Sequence, residues 1–140
     1  GVSKELQNSI AMCNTFIGTF KYMSPERIQN KPYSYEIDIW ALGVVLIECV
    51  TGVYPFDAHQ NVPYFELVQS LLESPAPSIP KTQSVSDEMR DFISCCVSKQ
   101  PDKRLSAAIL LGHPWLKSQG AVDQFSATEN VRNWIDSFQQ

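Results

Sequence analysis

The sequence predicts a mainly α-helical fold, and three observations carry that prediction. Apolar residues recur at helical spacing through most of the chain after residue 35. The stretches between these runs are broken by Pro and Gly, the residues that end helices. The strict apolar–polar alternation of a half-buried strand hardly occurs.

Taken in order, Gly1 to Gly18 is rich in Ser, Asn and Thr without a period and reads as a loop. Ser24 to Ser34, holding Pro25 and Pro32, reads as a second irregular stretch. The strongest helix signal runs from Tyr35 to Thr51, where Ile37, Trp40, Leu42, Val44, Val45, Leu46, Ile47 and Val50 cover nearly the whole circumference. A helix apolar all round is expected to be covered on all sides. Ser34 is placed to cap its start and Gly52 to close its end. A shorter helix is expected over Val62 to Glu73, with Phe65, Val68, Leu71 and Leu72 as its apolar face. Pro75, Pro77 and Pro80 exclude regular helix from 74 to 80. Ser86 then caps a helix with Met89, Phe92, Ile93, Cys96 and Val97 as an amphipathic stripe. Ser106 starts a short helix through Leu111, stopped by Gly112-His113-Pro114. Ser126-Ala127-Thr128-Glu129 resembles a capping box ahead of Val131, Trp134, Ile135 and Phe138.

A chain of 140 residues suffices for one compact domain. With 11 basic against 15 acidic residues, a net charge of −4 and no basic stripe, nucleic acid is not an expected partner. No apolar run reaches the ~18 residues that crossing a bilayer requires, so no membrane partner is expected either. The longest candidate, from Ile37 to Val50, is interrupted by Asp38 and Glu48. Cys13, Cys49, Cys95 and Cys96 form no CxxC pair, and no His stands at metal-ligand spacing. They read as reduced thiols of a cytoplasmic, or also nuclear, protein, with Cys49 and Cys96 on apolar helix faces and no metal site. His59 and His113 are isolated.

The motifs are Gly18-Thr19-Phe20-Lys21-Tyr22-Met23-Ser24-Pro25-Glu26-Arg27, then Asp38-Ile39-Trp40-Ala41-Leu42-Gly43, and later Arg104 and His113-Pro114-Trp115. Each alone has a plainer reading, as surface charges, a helix-start carboxylate or a loop hydroxyl. In this order they resemble the eukaryotic protein kinases, over all but about the last twenty residues. The resemblance implies an incomplete carboxy-terminal helical lobe: activation segment over 1–27, helical lobe over 28–118, and a tail with an amphipathic helix over 119–140. It implies structural support from a buried ion pair between Glu26 and Arg104, and from Asp38 and Trp40. It also implies that Gly18, Thr19 and Tyr22 belong to the loop that receives the substrate residue following the acceptor.

Within the kinases, Tyr22-Met23-Ser24-Pro25-Glu26-Arg27 is similar to the MAP kinase kinases, and Ser9 and Thr15 fit the S/T-x5-S/T spacing of plant-type members. Those two residues are therefore the expected sites of activating phosphorylation, with Lys4, Lys21 and Arg27 as nearby cations. The resemblance implies a dual-specificity enzyme acting with ATP and Mg2+, a MAP kinase as protein substrate and an upstream activating kinase as partner. No G-x-G-x-x-G, V-A-I-K, H-R-D or D-F-G occurs, so no catalytic residue is expected in this segment, which would begin at the Gly of the last motif. A segment so cut is expected to be inactive alone. Leaving ~300 Å² of the all-apolar helix wet would forfeit roughly 7 kcal/mol, so weak stability is expected as well. The alternatives are a truncated, non-catalytic binding module, with Val62 to Glu73 as a contact, or a related serine/threonine kinase.

Overall fold

The computed structural model describes residues 20–56 and 63–139, which are helical and hold no strand. Among the described residues, α1 (Pro25–Ile28) is one turn inside the stretch expected to be irregular. Pro25 supplies a helical φ at a position whose N–H has no intrahelical partner, which favours that turn. It stops at Asn30, whose φ of 53° is left-handed, where Lys31 N–H donates to the Glu26 carbonyl at 2.9 Å.

Helix α2 (Glu36–Thr51) begins one residue later than expected, with Tyr35 rather than Ser34 at its cap and no side-chain capping bond. Its first turn is tightened instead, Ile37 N–H donating to the Ser34 carbonyl at 3.3 Å and Asp38 N–H to Tyr35 at 3.1 Å. Gly52, at φ 75°, closes the other end. The inner face of α2 buries Ile39, Trp40, Gly43, Val44 and Ile47. The expected coverage on all sides is not what the described residues provide. Asp38, Leu42, Val45 and Cys49, one helical stripe, are exposed, so Cys49 does not share the buried setting of Cys96.

Helix α3 (Tyr64–Glu73) buries Leu67 and Leu71, with Val68 and Leu72 half-buried. Phe65, expected inside, is 75% exposed. The i, i+4 pair of leucines defines the buried direction, and Phe65 lies outside it. The proline-rich connection after α3 is held by Arg90, which donates to the carbonyls of Ile79 (2.8 Å), Pro80 (3.3 Å) and Gln83 (2.6 Å).

Helix α4 (Asp87–Cys96) is capped by Ser86, whose hydroxyl accepts from Met89 N–H. Phe92, Ile93, Cys96 and Val97 are all at most 4% exposed. The α2–α4 contact depends on Gly43, where an added Cβ would lie 2.4 Å from Val97 Cγ1 and 2.8 Å from Cys96 Cβ. Burial pushes the Cys96 thiol up to about 12, which suits an inert core thiol. A 3-10 turn (Pro101–Lys103) leads to α5 (Ala107–Leu110), capped by Ser106, and α6 (Pro114–Ser118).

The last helix, α7 (Gln124–Ser137), starts earlier than the Ser126 box implies. Asp123 is the cap and Ser126 its third-position partner. Both bonds of the box form three residues upstream, and the helix gains most of a turn. No residue of α7 is buried. No helix among the described residues is long and apolar enough to cross a membrane.

Candidate functional site

Of the residues singled out in the sequence, Ser9, Thr15, Gly18 and Thr19 lie outside the described residues, as does Lys4. The others fall into two groups that α2 joins. At the first, Arg104 forms a two-pronged pair with Glu26: Nη1 donates to Oε1 at 2.7 Å and Nη2 to Oε2 at 2.8 Å. Two further guanidinium donors are also used, Nε on the Ser98 carbonyl at 2.8 Å and Nη1 again on the Glu36 carbonyl at 2.9 Å. Glu26 is 5% and Arg104 6% exposed, so both charges are desolvated and both are satisfied. Burial works to raise the Glu26 carboxyl, but the Arg104 hydrogen bonds and its own backbone N–H outweigh it and hold the group below its usual 4.5.

Trp40 lies under this pair. Its ring centroid is 5.2 Å from Arg104 Cζ, and on another side it stacks on Phe56 at 6.3 Å. Its Nε1 is buried without a hydrogen-bond partner among the described residues. Asp38, in the first turn of α2, is exposed. The pair therefore joins the end of the loop segment, the start of α2 and the turn before α5.

At the second group, Tyr22 donates its hydroxyl to Glu48 Oε2 at 2.6 Å, and Tyr54 donates to the Lys21 carbonyl. The Glu48 bond first, and then burial, push the Tyr22 phenol up to about 12. Of the three cations expected nearby, the two among the described residues rest on aromatic faces, Lys21 Nζ 5.3 Å from the Tyr54 centroid and Arg27 Cζ 5.2 Å from the Tyr33 centroid.

His113 enters the sequence reading only within its His-Pro-Trp motif, whereas Glu48, Tyr54 and Arg90 are missed by it. Their partners are backbone carbonyls or residues far away in sequence, which no local pattern encodes. His113 carries a partial signal, since it precedes Pro114 and caps α6 by accepting Trp115 N–H at Nδ1 (3.1 Å). That acceptor role leaves the ring proton on Nε2, which donates to Asp91 Oδ2 at 2.9 Å.

Among the described residues, the cluster able to offer metal ligands is Asp91, Cys95 and His113, with donor atoms within 4.8 Å of one another. A thiol and an imidazole do not suit Mg2+, which takes carboxylate and phosphate oxygens. Binding any metal at Nε2 would also move the ring proton to Nδ1, against the Trp115 N–H. That cluster is therefore no match for Mg2+. What they build is a frame around the end of a loop, held by one buried ion pair and one tyrosine–carboxylate bond.

The protein kinase domain model matches residues 1–116. The chain is 48% identical over 116 residues to mitogen-activated protein kinase kinase 3 of Arabidopsis thaliana, covering 83% of this chain and 22% of that one. It is 44% identical over 127 residues to mitogen-activated protein kinase kinase SIPKK of Nicotiana tabacum, covering 88% and 35%. It is 36% identical over 140 residues to the dual specificity mitogen-activated protein kinase kinase dSOR1 of Drosophila melanogaster, covering 84% and 35%. The chain thus spans about a third or less of the length of these relatives.

Proposed function

The chain belongs to the protein kinase family, among sequences of the MAP kinase kinase type, and from that premise we propose that it is the carboxy-terminal portion of a dual-specificity MAP kinase kinase. The complete enzyme phosphorylates Thr and Tyr in the activation loop of a MAP kinase. ATP with Mg2+ supplies the phosphoryl group, and both are held outside this segment. The observation that carries the reading is the Glu26–Arg104 pair, which joins residues 78 positions apart and anchors the end of the activation segment to the helical lobe.

The role of these residues is to position rather than to react. Phosphoryl transfer needs an acceptor hydroxyl held in line, so a fixed receiving surface lowers the barrier without touching the phosphate. Gly18, Thr19 and Tyr22 are assigned to that surface, Ser9 and Thr15 to activating phosphorylation, and Asp38 to support of the catalytic loop. Each phosphate adds about −1.5 to −2 charge, enough to draw Lys21 or Arg27 from its aromatic face.

The test uses the complete kinase and an inactive MAP kinase. Phosphopeptide mapping is expected to find both Thr and Tyr modified, and replacing Ser9 and Thr15 by Ala is expected to abolish activation by an upstream kinase. Modification of Thr alone would remove the dual specificity, and unchanged activation would remove the two sites. The 140-residue segment alone is expected to bind no nucleotide; a micromolar, Mg2+-dependent affinity would overturn that.

A further inference from the structure

Of the nine prolines, two follow a serine, in Ser24-Pro25 and Ser74-Pro75, and none follows a threonine. The structure treats the two pairs oppositely. Ser24 is fully buried and leads into α1, with Pro25 and Glu26 buried after it. Ser74 is half-buried at the end of α3, and Pro75 and Ala76 are exposed. Its φ of −68° and ψ of 156° are extended, the shape that a following proline favours. Among the described residues, no hydrogen bond holds residues 75 to 78, and the next anchor is the Ile79 carbonyl on Arg90. A serine is thus followed by proline in an extended, untethered stretch.

Pro75 also leaves its mark on α3. A helical carbonyl accepts from the N–H four residues on, and for Leu71 that residue is Pro75, which has none. Lys99 supplies the missing donor, its ammonium donating to the Leu71 carbonyl. A cation therefore sits at the carboxy end of α3, where the helix dipole favours positive charge. Lys99 is half-buried, and burial pulls its ammonium below the usual lysine range. It forms no ion pair among the described residues. A partly desolvated cation bonded to a carbonyl gains from a charged acceptor, and Ser74 is three residues along from that carbonyl.

We propose that Ser74 is a phosphorylation site for a proline-directed protein kinase, and that its phosphate draws Lys99 off the Leu71 carbonyl. The terminal phosphoryl group of a nucleoside triphosphate passes to Ser74 Oγ. The new P–O bond forms as the bond to the diphosphate breaks, and the hydroxyl proton goes to a base of the modifying kinase. The product carries about −1.5 to −2 charge beside Glu73, at the helix end where the dipole disfavours it. Lys99 is the cation stationed at that end. Once it turns to the phosphate, the Leu71 carbonyl has no donor and the last turn of α3 loosens. This goes beyond the activity proposed above and does not depend on it.

The experiment incubates the complete protein with Mg2+–ATP and a cyclin-dependent kinase as the proline-directed probe, and then maps phosphopeptides. A control without the probe separates any self-modification. Phosphate is expected on Ser74 and not on Ser24. Pro75→Ala is expected to slow that modification about ten-fold or more, and Ser74→Ala to abolish it. Hydrogen exchange of the amides of residues 72–74 is expected to quicken about ten-fold in the phosphorylated parent. Lys99→Ala is expected to quicken the same amides without phosphate, and its phosphorylation to add less than about two-fold. An unmodified Ser74, or modification of Ser24 ahead of it, would overturn the site. Phosphate on Ser74 that leaves exchange unchanged, or that quickens it equally in Lys99→Ala, would overturn the role of Lys99. The site and the loosening are both read on the parent chain, so a variant that fails to fold leaves them testable. Phosphate transfer by the complete protein to a MAP kinase decides the kinase reading separately.

Discussion

Helices α4 and α7 carry nearly the same apolar pattern and meet opposite fates. In α4, Phe92, Ile93 and Cys96 repeat at helical spacing and are all buried. In α7, Val131, Trp134, Ile135 and Phe138 repeat in the same way and are 54%, 63%, 48% and 71% exposed. Both starts are capped, α4 by Ser86 and α7 by the Asp123–Ser126 box. The difference is the neighbour. Helix α4 faces α2 at Gly43, where a missing side chain lets two backbones approach, whereas α7 is tied to the rest of the lobe by the Asn130 amide, which donates to the Gln119 carbonyl at 2.8 Å. Periodicity specifies a helix and its apolar side; what covers that side is decided elsewhere.

The sharpest way to break the comparison is at the ion pair on the buried side. Arg104→Ala leaves Glu26 desolvated without its partner and is expected to cost ~3–5 kcal/mol by urea unfolding. Acidification is expected to weaken the same pair, with a definite sign. Glu26 titrates below 4.5 when folded, so its contribution is complete above the unfolded value. It disappears as pH falls through the lower, folded value. Unfolding midpoints that stay flat from pH 6 to below about pH 3 would contradict the assignment.

Next in size is the contact of α2 with α4. Ile93→Ala is expected to cost ~2–5 kcal/mol by cavity formation. Gly43→Ala is expected to cost ~1–3 kcal/mol by overpacking, since its Cβ would fall 2.4 Å from Val97 Cγ1. A neutral Gly43→Ala would mean that α2 and α4 slide apart freely, and the two regions would then differ less than their burial implies.

Much of this was legible before any coordinate. The helices over 35–51, 86–97 and 106–111 follow from period and caps, because Ser86 and Ser106 act on backbone three residues away. The Glu26–Arg104 pair was reached only through resemblance to a family, since nothing local relates residues 78 apart. Phe65 and the start of α7 were misread for a common reason. Several local solutions satisfied the same pattern, and tertiary contact or the fuller capping box chose among them. Glu48 was read as an interruption of an apolar run, and its relation to Tyr22 was not legible.

The smallest expected effect sharpens the comparison most. Trp134→Ala removes the largest side chain of α7, yet the ring is 63% exposed and meets Phe138, the C-cap of the same helix, edge to face at 5.0 Å. Truncating an exposed side chain away from caps and buried pairs changes stability by less than about 0.5 kcal/mol. The expected outcome is an unfolding midpoint unchanged in the segment, against the multi-kcal/mol loss from Ile93→Ala measured beside it. If Trp134→Ala cost as much as ~2 kcal/mol, its ring would have to be removed from water in solution. Helix α7 would then have a covering surface and would belong with α4. If the midpoint holds, the two stripes differ in energy as they differ in exposure, and the apolar side of α7 contributes nothing to holding this lobe together.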